Sequence, residues 1–387
     1  MAHEFRSHAI LSASGAHRWM NCTPSARLEL EFSDTSSEAA KEGTLAHEVC
    51  EAKVLNYFFP GKLTKRQLNA KLKKFKEHEL WQSEMEWHTN TYLDYIKAEA
   101  LKFEVSPSVN IEVRLDLTNY IPEGYGTADC VLIGSNRLEV IDFKYGKGVP
   151  VSAENNQQLL LYALGAYEKY KMICKFETVK VAIVQPRIAD EASEFELSVT
   201  DLLRFGEEVK AKAALAYEGK GEYNPSESTC RFCRARATCR ARADKNVELA
   251  FACVKPLDTL SYEEVGEYLK KGMGVAAWIK DLRDYALDAC LAGHNVTGWK
   301  AVEGKSTRVW SNQLAAFTEL KRAGLEDKDL YKYEPLTLAQ IEKTFGEDVL
   351  QAAAAAYIIK PPGKPTLVEE SDKREAMNNI NNMFEGV

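Results

Sequence analysis

The sequence predicts an α/β protein in which a mixed central sheet is flanked by helices and followed by a helical C-terminal extension. Two observations carry this expectation. Apolar residues recur at helical spacing up to about residue 103, form short alternating or continuous runs between 110 and 143, and return to helical spacing from 153. The turn signature Gly134-Ser135-Asn136 separates two of the strand-like runs.

Taken in order, residues 37–59 read as a helix whose first turns are interrupted at Gly43-Thr44. Residues 78–103 read as a longer one, with Trp81, Met85, Trp87, Tyr92, Tyr95, Ile96 and Leu101 near helical spacing. Residues 110–117 alternate as a strand, and 127–133 and 137–143 form two more. Helix returns over 153–170, a short apolar strand covers 179–185 before Pro186, and 200–217 is again helical. The breaker-rich segment Tyr223-Asn224-Pro225-Ser226-Glu227-Ser228 leads into a cysteine cluster at 230–239. Beyond it, 259–291 reads as helix, 298–310 as a β-hairpin turning at Glu303-Gly304, and further helix runs to about Tyr357. A polar tail with Pro361, Pro362 and Pro365 closes the sequence. Composition places a boundary near 257, giving a domain 1–257, a mainly helical extension 258–358 and a flexible tail 359–387.

The 387 residues are 45% hydrophobic and 28% charged, an ordinary soluble balance. No run of 18 apolar residues appears, so no membrane span is expected. The first ten residues hold His3, Glu4, Arg6 and His8 and lack the apolar stretch of a signal peptide, so a cytoplasmic location is expected. The net charge is −7, so a nucleic-acid partner would need a local basic surface. Lys62, Lys65, Arg66, Lys71, Lys73, Lys74 and Lys76 form one such cluster, which by itself reads as a solvated helix face. Arg231, Arg234, Arg236, Arg240 and Arg242 form another.

The strongest chemical signal is Gly126-Thr127-Ala128-Asp129 followed by Val140-Ile141-Asp142-Phe143-Lys144. If Ser135-Asn136 make a two-residue turn, Gly134 pairs with Arg137 and Asp129 lies opposite Asp142, with Cβ atoms roughly 4.5–5.5 Å apart. Lys144, two residues on, points to the face of Asp142. Opposed carboxylates repel unless a cation relieves them, and Mg²⁺ or Mn²⁺ suits oxygen donors. Such an ion can activate water for phosphodiester cleavage, and Lys144 can offset developing negative charge. Each acid alone reads more readily as an exposed residue paired with lysines than as a metal ligand.

The ordered set resembles the RecB-type branch of the PD-(D/E)xK nucleases. That branch carries a helical His, a Gly-x-x-Asp, an Asp/Glu-x-Lys and a helical Gln-x-x-x-Tyr, matched here by His47, Asp129, Asp142 with Lys144, and Gln158 with Tyr162. The resemblance implies a restriction-endonuclease-like core. It implies metal binding by His47, Asp129, Asp142 and the Phe143 carbonyl, a catalytic Lys144, and positioning of DNA or Lys144 by Gln158 and Tyr162. Glu112, on the preceding strand, is a further acid near this set. Gln157 is the alternative to Gln158, but its i+4 partner is Leu161.

Nine cysteines in a cytosolic chain point to metal rather than disulfides. Cys230-Arg231-Phe232-Cys233 and, after five intervening residues, Cys239 need a fourth ligand; Cys22 and Cys253 are candidates, and four cysteines suit zinc or an iron–sulfur cluster alike. The resemblance extends to the recombination nuclease AddB, which places one cysteine before the helical His and three after the core. It thereby implies a structural 4Fe–4S cluster on Cys22, Cys230, Cys233 and Cys239. Cys50, Cys130, Cys174, Cys253 and Cys290 read as buried small hydrophobes.

Gly298-Trp299-Lys300 and Arg308-Val309-Trp310 resemble the extension of a largely phage-encoded group of these nucleases. Their tryptophans are expected in a core, with stacking on single-stranded bases as the other reading. The implied function is Mg²⁺- or Mn²⁺-dependent cleavage of DNA, single-stranded or with free ends, by exonuclease or end-processing action in phage or bacterial recombination, replication or repair. A separate helicase or recombination partner would supply unwinding, and a phage-encoded copy would act in the host cytoplasm. The alternative is a catalytically inactive DNA-binding or assembly protein on the same fold.

Overall fold

A computed structural model describes residues 9–32, 38–134, 136–251, 261–303 and 311–322, with shorter runs between 324 and 358. Two compact units result, 1–302 and 303–387. The expected boundary near 257 and the tail 359–387 lie outside the described residues, as do Cys253 and residues 304–310 of the expected hairpin.

The first unit is built on five strands, β1 (Ser108–Asp116), β2 (Tyr125–Gly134), β3 (Arg137–Phe143), β4 (Thr178–Val184) and β5 (Ser193–Ser198). They lie in that order in one sheet. All neighbours are antiparallel except β3 and β4, which are parallel and joined through the helix Gln157–Tyr170. Parallel neighbours need a crossover of this kind. The expected mixed central sheet flanked by helices is therefore observed.

The helices of this unit are α1 (Ala16–Asn21), α2 (Glu38–Phe58), α3 (Lys65–Lys76), α4 (Met85–Leu101), α5 (Gln157–Tyr170), α6 (Val199–Glu218), α7 (Arg240–Phe251) and α8 (Tyr262–Leu291). Two apolar clusters cover the sheet. One packs Val131, Ile133, Leu138 and Val140 against Leu159 to Leu164 of α5, with Trp19 of α1 and Val209 of α6. The other packs Cys130, Leu132, Ile141 and Phe143 against Leu45, Ala46 and Val49 of α2, and Met85, Tyr92 and Ile96 of α4. Burial on both faces explains why β4, broken only by Lys180, reads as a nearly continuous apolar run.

Several expectations need correction. Gly43-Thr44 does not interrupt α2; both residues are helical, and Thr44 Oγ1 donates to the Ala40 carbonyl. The second helix begins at Met85 rather than near 78, because His78 Nδ1 accepts from the Leu80 amide in a turn that precedes it. The strand β5 was not expected: Ser-Glu-Phe-Glu-Leu-Ser is half-buried and too polar to stand out. Trp299 is 64% exposed and so is not a core residue, and residues 299–303 form no strand. Cys50 and Cys130 are buried as expected, whereas Cys174 and Cys290 are only partly so. The basic helix α3 buries none of its residues, as a solvated face should. Within the second unit, Gln313–Arg322 and Asp327–Leu330 are helical.

Charged groups inside the unit are paired. Lys180 lies 2.9 Å from both Glu99 and Glu194, and Arg137 lies 3.1 Å from Glu139. Lys53 pins α2 to α4, donating to the Glu86 carbonyl, Thr89 Oγ1 and Asn90 Oδ1 at 2.7, 2.7 and 2.6 Å. Burial lowers its pKa to about 8, so the folded state carries a penalty below that pH which fades as the unfolded-state lysine also loses its proton. Between pH 8 and 10 the wild type should therefore gain stability relative to Lys53→Met, by up to about 3 kcal/mol, in paired urea unfolding curves. A pH-independent difference would contradict this account.

Candidate active site

The strand row at residues 112, 129 and 142 departs from regular pairing. The β2–β3 ladder runs from Gly134 opposite Arg137 to Cys130 opposite Ile141 and stops there, aligning the positions of Asp129 and Asp142 but ending one step short of the pairing that the sequence predicts. The β1–β2 register, with Ile111 opposite Cys130 and Val113 opposite Ala128, likewise aligns Glu112 with Asp129. Face alternation breaks at both acids: Ile111 and Cys130 pack on the α2–α4 side, whereas Val113 and Ala128 pack on the α5 side. Glu112 takes φ 48°, a left-handed conformation that costs a non-glycine residue about 1–3 kcal/mol.

This break turns Asp129 into the gap between β2 and β3. Its Oδ2 accepts the Phe143 amide at 2.7 Å, and its Oδ1 lies 3.4 Å from Nδ1 of His47 on α2. His47, Glu112 and Asp129 offer ligand atoms within 4.8 Å of one another, a grouping suited to a cation. Asp142 lies outside that trio. It faces α5, where its Oδ1 accepts from Gln158 Nε2 at 3.3 Å and its Oδ2 lies 3.0 Å from Lys144 Nζ. Gln158 Oε1 accepts from Lys144 Nζ at 3.1 Å, and Gln158 Nε2 lies 3.1 Å from Tyr162 Oη. The two aspartates therefore serve adjoining groups rather than standing as a simple facing pair.

The charges are tightly interlocked. Glu112 is exposed to solvent, yet partial desolvation of its carboxyl and the nearby Asp129 carboxylate push it up to about 7. Burial raises the Asp142 carboxyl despite the opposing Lys144 ammonium. Burial also opposes charge on Lys144 and His47, but Asp142 and Asp129 respectively outweigh it and leave both raised. Asp142 Oδ2 is buried without an aligned hydrogen bond. Crowded carboxylates beside an imidazole fit a divalent cation with oxygen and nitrogen donors.

Helix α5 delivers Gln158 and Tyr162 on one face, four residues apart. Its start is fixed by Asn156, whose side chain accepts from the Leu159 amide. Gln157 lines a separate cavity, whereas Gln158 bonds Lys144 and Asp142. Glu112 is the residue that sequence reasoning left at the margin, since its alignment with Asp129 depends on the β1–β2 register. Phe143 packs its ring on His47, 5.4 Å between centroids.

Cys22, Cys230, Cys233 and Cys239 line one small cavity, together with Arg18, Tyr223 and Arg236. None is in a disulfide. Burial raises the Cys230 thiol and pushes Cys233 to about 12. The surrounding segments are tied directly: Glu29 accepts from Arg18 Nε at 2.6 Å and from the Arg234 amide at 2.8 Å, and Thr23 donates to the Lys220 carbonyl at 2.6 Å. Among the described residues, the His47 trio forms a ligand group within 4.8 Å, and these sulfurs do not.

The profile of the family described as "Protein of unknown function (DUF2800)" matches residues 8–375. The chain belongs to that family. Solved structures similar to this DUF2800 chain include that of SSO0001, at 14% identity over 51% of this chain and 85% of that one, with a TM-score of 0.25. They also include an alkaline exonuclease (LHK-Exo) from Laribacter hongkongensis, at 13% identity over 45% and 87% and a TM-score of 0.24. The complex of LHK-Exo with dAMP matches at 14% identity over 45% and 87%, again with a TM-score of 0.24. No helix among the described residues is long and apolar enough to cross a membrane.

The glycine of Gly126-Thr127-Ala128-Asp129 has a packing reason in the DUF2800 chain. A Cβ on Gly126 would meet Tyr162 Cε1 at 2.7 Å. Gly126→Ala should displace the tyrosine ring and cost about 1–3 kcal/mol, read as a lower urea midpoint. Unchanged stability would show that Tyr162 does not need that space.

Proposed function

We propose that the chain is a DNA nuclease dependent on Mg²⁺ or Mn²⁺, acting as an exonuclease or end-processing enzyme in phage or bacterial recombination, replication or repair. The observation that carries this reading is the joining of two groups from both sides of one sheet: His47, Glu112 and Asp129, and Asp142, Lys144, Gln158 and Tyr162. His47, Glu112, Asp129 and Asp142, with the Phe143 carbonyl, would hold the divalent ion. When bound, that ion would favour hydroxide over water and offset charge on the scissile phosphate. Lys144 keeps its proton beside Asp142 and can donate to an oxygen that gains charge. Gln158 holds both members of that ion pair, and Tyr162 anchors Gln158.

Cys22, Cys230, Cys233 and Cys239 would hold a structural 4Fe–4S cluster. Four soft donors around one cavity support a metal group. A zinc ion on the same four thiolates is the competing reading. A helicase or recombination partner, and action in the host cytoplasm, belong to the same proposal.

The test is Mn²⁺-dependent digestion of end-labelled single- and double-stranded DNA. Asp142→Ala and Lys144→Ala should each reduce cleavage by about 100-fold or more. Equal cleavage by wild type and Asp142→Ala, or none by either, would instead support the DNA-binding reading. Anaerobically purified protein should carry iron that Cys233→Ser loses; bound zinc without iron would overturn the cluster assignment.

A further inference from the structure

A cavity of about 600 Å³ lies between the first turn of α5, the end of α1 and the middle of α6. Its size is that of a small-ligand site. Four carboxamides line it: Asn21, Asn155, Gln157 and Asn224. Leu160 and Phe205 supply apolar surface, and Lys212 stands at the side of α6. Gln157 directly precedes Gln158, which bonds both members of the Asp142–Lys144 ion pair, so the cavity and that pair share the first turn of α5. Asn224 follows Tyr223, which lines the cysteine cavity.

The geometry points to a subsite for one unpaired nucleobase of a DNA strand whose backbone is held at the candidate metal centre, an inference that rests on the nuclease reading. Carboxamides present a donor and an acceptor side by side, the pattern that matches base edges. A partly buried phenylalanine offers a stacking surface, and stacking on an aromatic ring contributes about 1–3 kcal/mol per base. Asn155 is held at φ 52°, a left-handed conformation that asparagine accepts more readily than most residues, and this fixes the turn from which it faces the cavity. Lys212 carries the charge to meet a flanking phosphate. A paired base cannot enter a recess of this kind without leaving its stack, so the strand taken here is single-stranded or frayed at its end.

The experiment compares binding of two fluorescent hexamers, oligothymidylate and a fully abasic chain, to the full-length protein in EDTA. The wild type should bind the thymidylate about tenfold more tightly, in keeping with one stacked base. In Asn155→Ala/Gln157→Ala the two affinities should fall within about twofold of each other. Phe205→Leu, which keeps an apolar side chain against the core, should give an intermediate ratio. A tenfold preference that survives in the double variant, or a wild type that binds neither hexamer or both alike, overturns the inference. Because the measurement needs no cleavage, a failed base subsite is distinguishable from a failed nuclease assignment, which Mn²⁺-dependent digestion decides separately.

Discussion

The hydrogen bond from the Phe143 amide to the Asp129 carboxylate governs the candidate centre. In a regular ladder that amide would bond a backbone carbonyl of β2. Here a side chain takes it, and β2 and β3 part at the level where Asp142 emerges. The same level on β1 carries Glu112 in a left-handed conformation. Carboxylates from three strands thereby reach different directions from one row, one toward α2, another toward α5. A flat ladder would stack them on one face at mutual repulsion. The backbone strain at Glu112 thus accompanies a separation of roles between the His47 side and the Lys144 side.

Much of this was legible in the sequence. The strand pair around Gly134 and Arg137 followed from a turn signature flanked by apolar runs, and its register came out as counted. Gln158 and Tyr162 came from the family resemblance, and their i,i+4 spacing put them on one helix face. Other features lay beyond local pattern. The side-chain bond to Phe143 gives no periodic signal, because a break in alternation leaves residue types unchanged. Glu112 gained its place only through the long connection from β1 to β2. The strand β5 hid because an edge strand, half solvated, need not be apolar.

The solvated features were harder to read than the buried ones. Trp299 looks like a core residue by type, yet 64% of it is exposed. Long apolar side chains on α8, such as Leu269 and Met273, are each half exposed. Residue type predicts burial well only where neighbours close in from both sides, as they do around β3. Lys53 is the converse: its charge argues for a surface position, but three acceptors from α4 offset its burial.

The bonds joining Thr23 and Glu29 to Lys220 and Arg234 span 197 and 205 positions of sequence. During translation at about 5–20 residues per second, the early segment would wait on the order of 10–40 s before its partners were made. Trp19 and Cys22 would meanwhile lack the surroundings they have in the finished fold. The sheet can assemble within that interval, since β1 to β5 are complete by Ser198. The order of synthesis thus makes closure of the N-terminal segment a late event, and a ribosome-bound chain ending before residue 217 would leave a thiol and an indole open to chaperones.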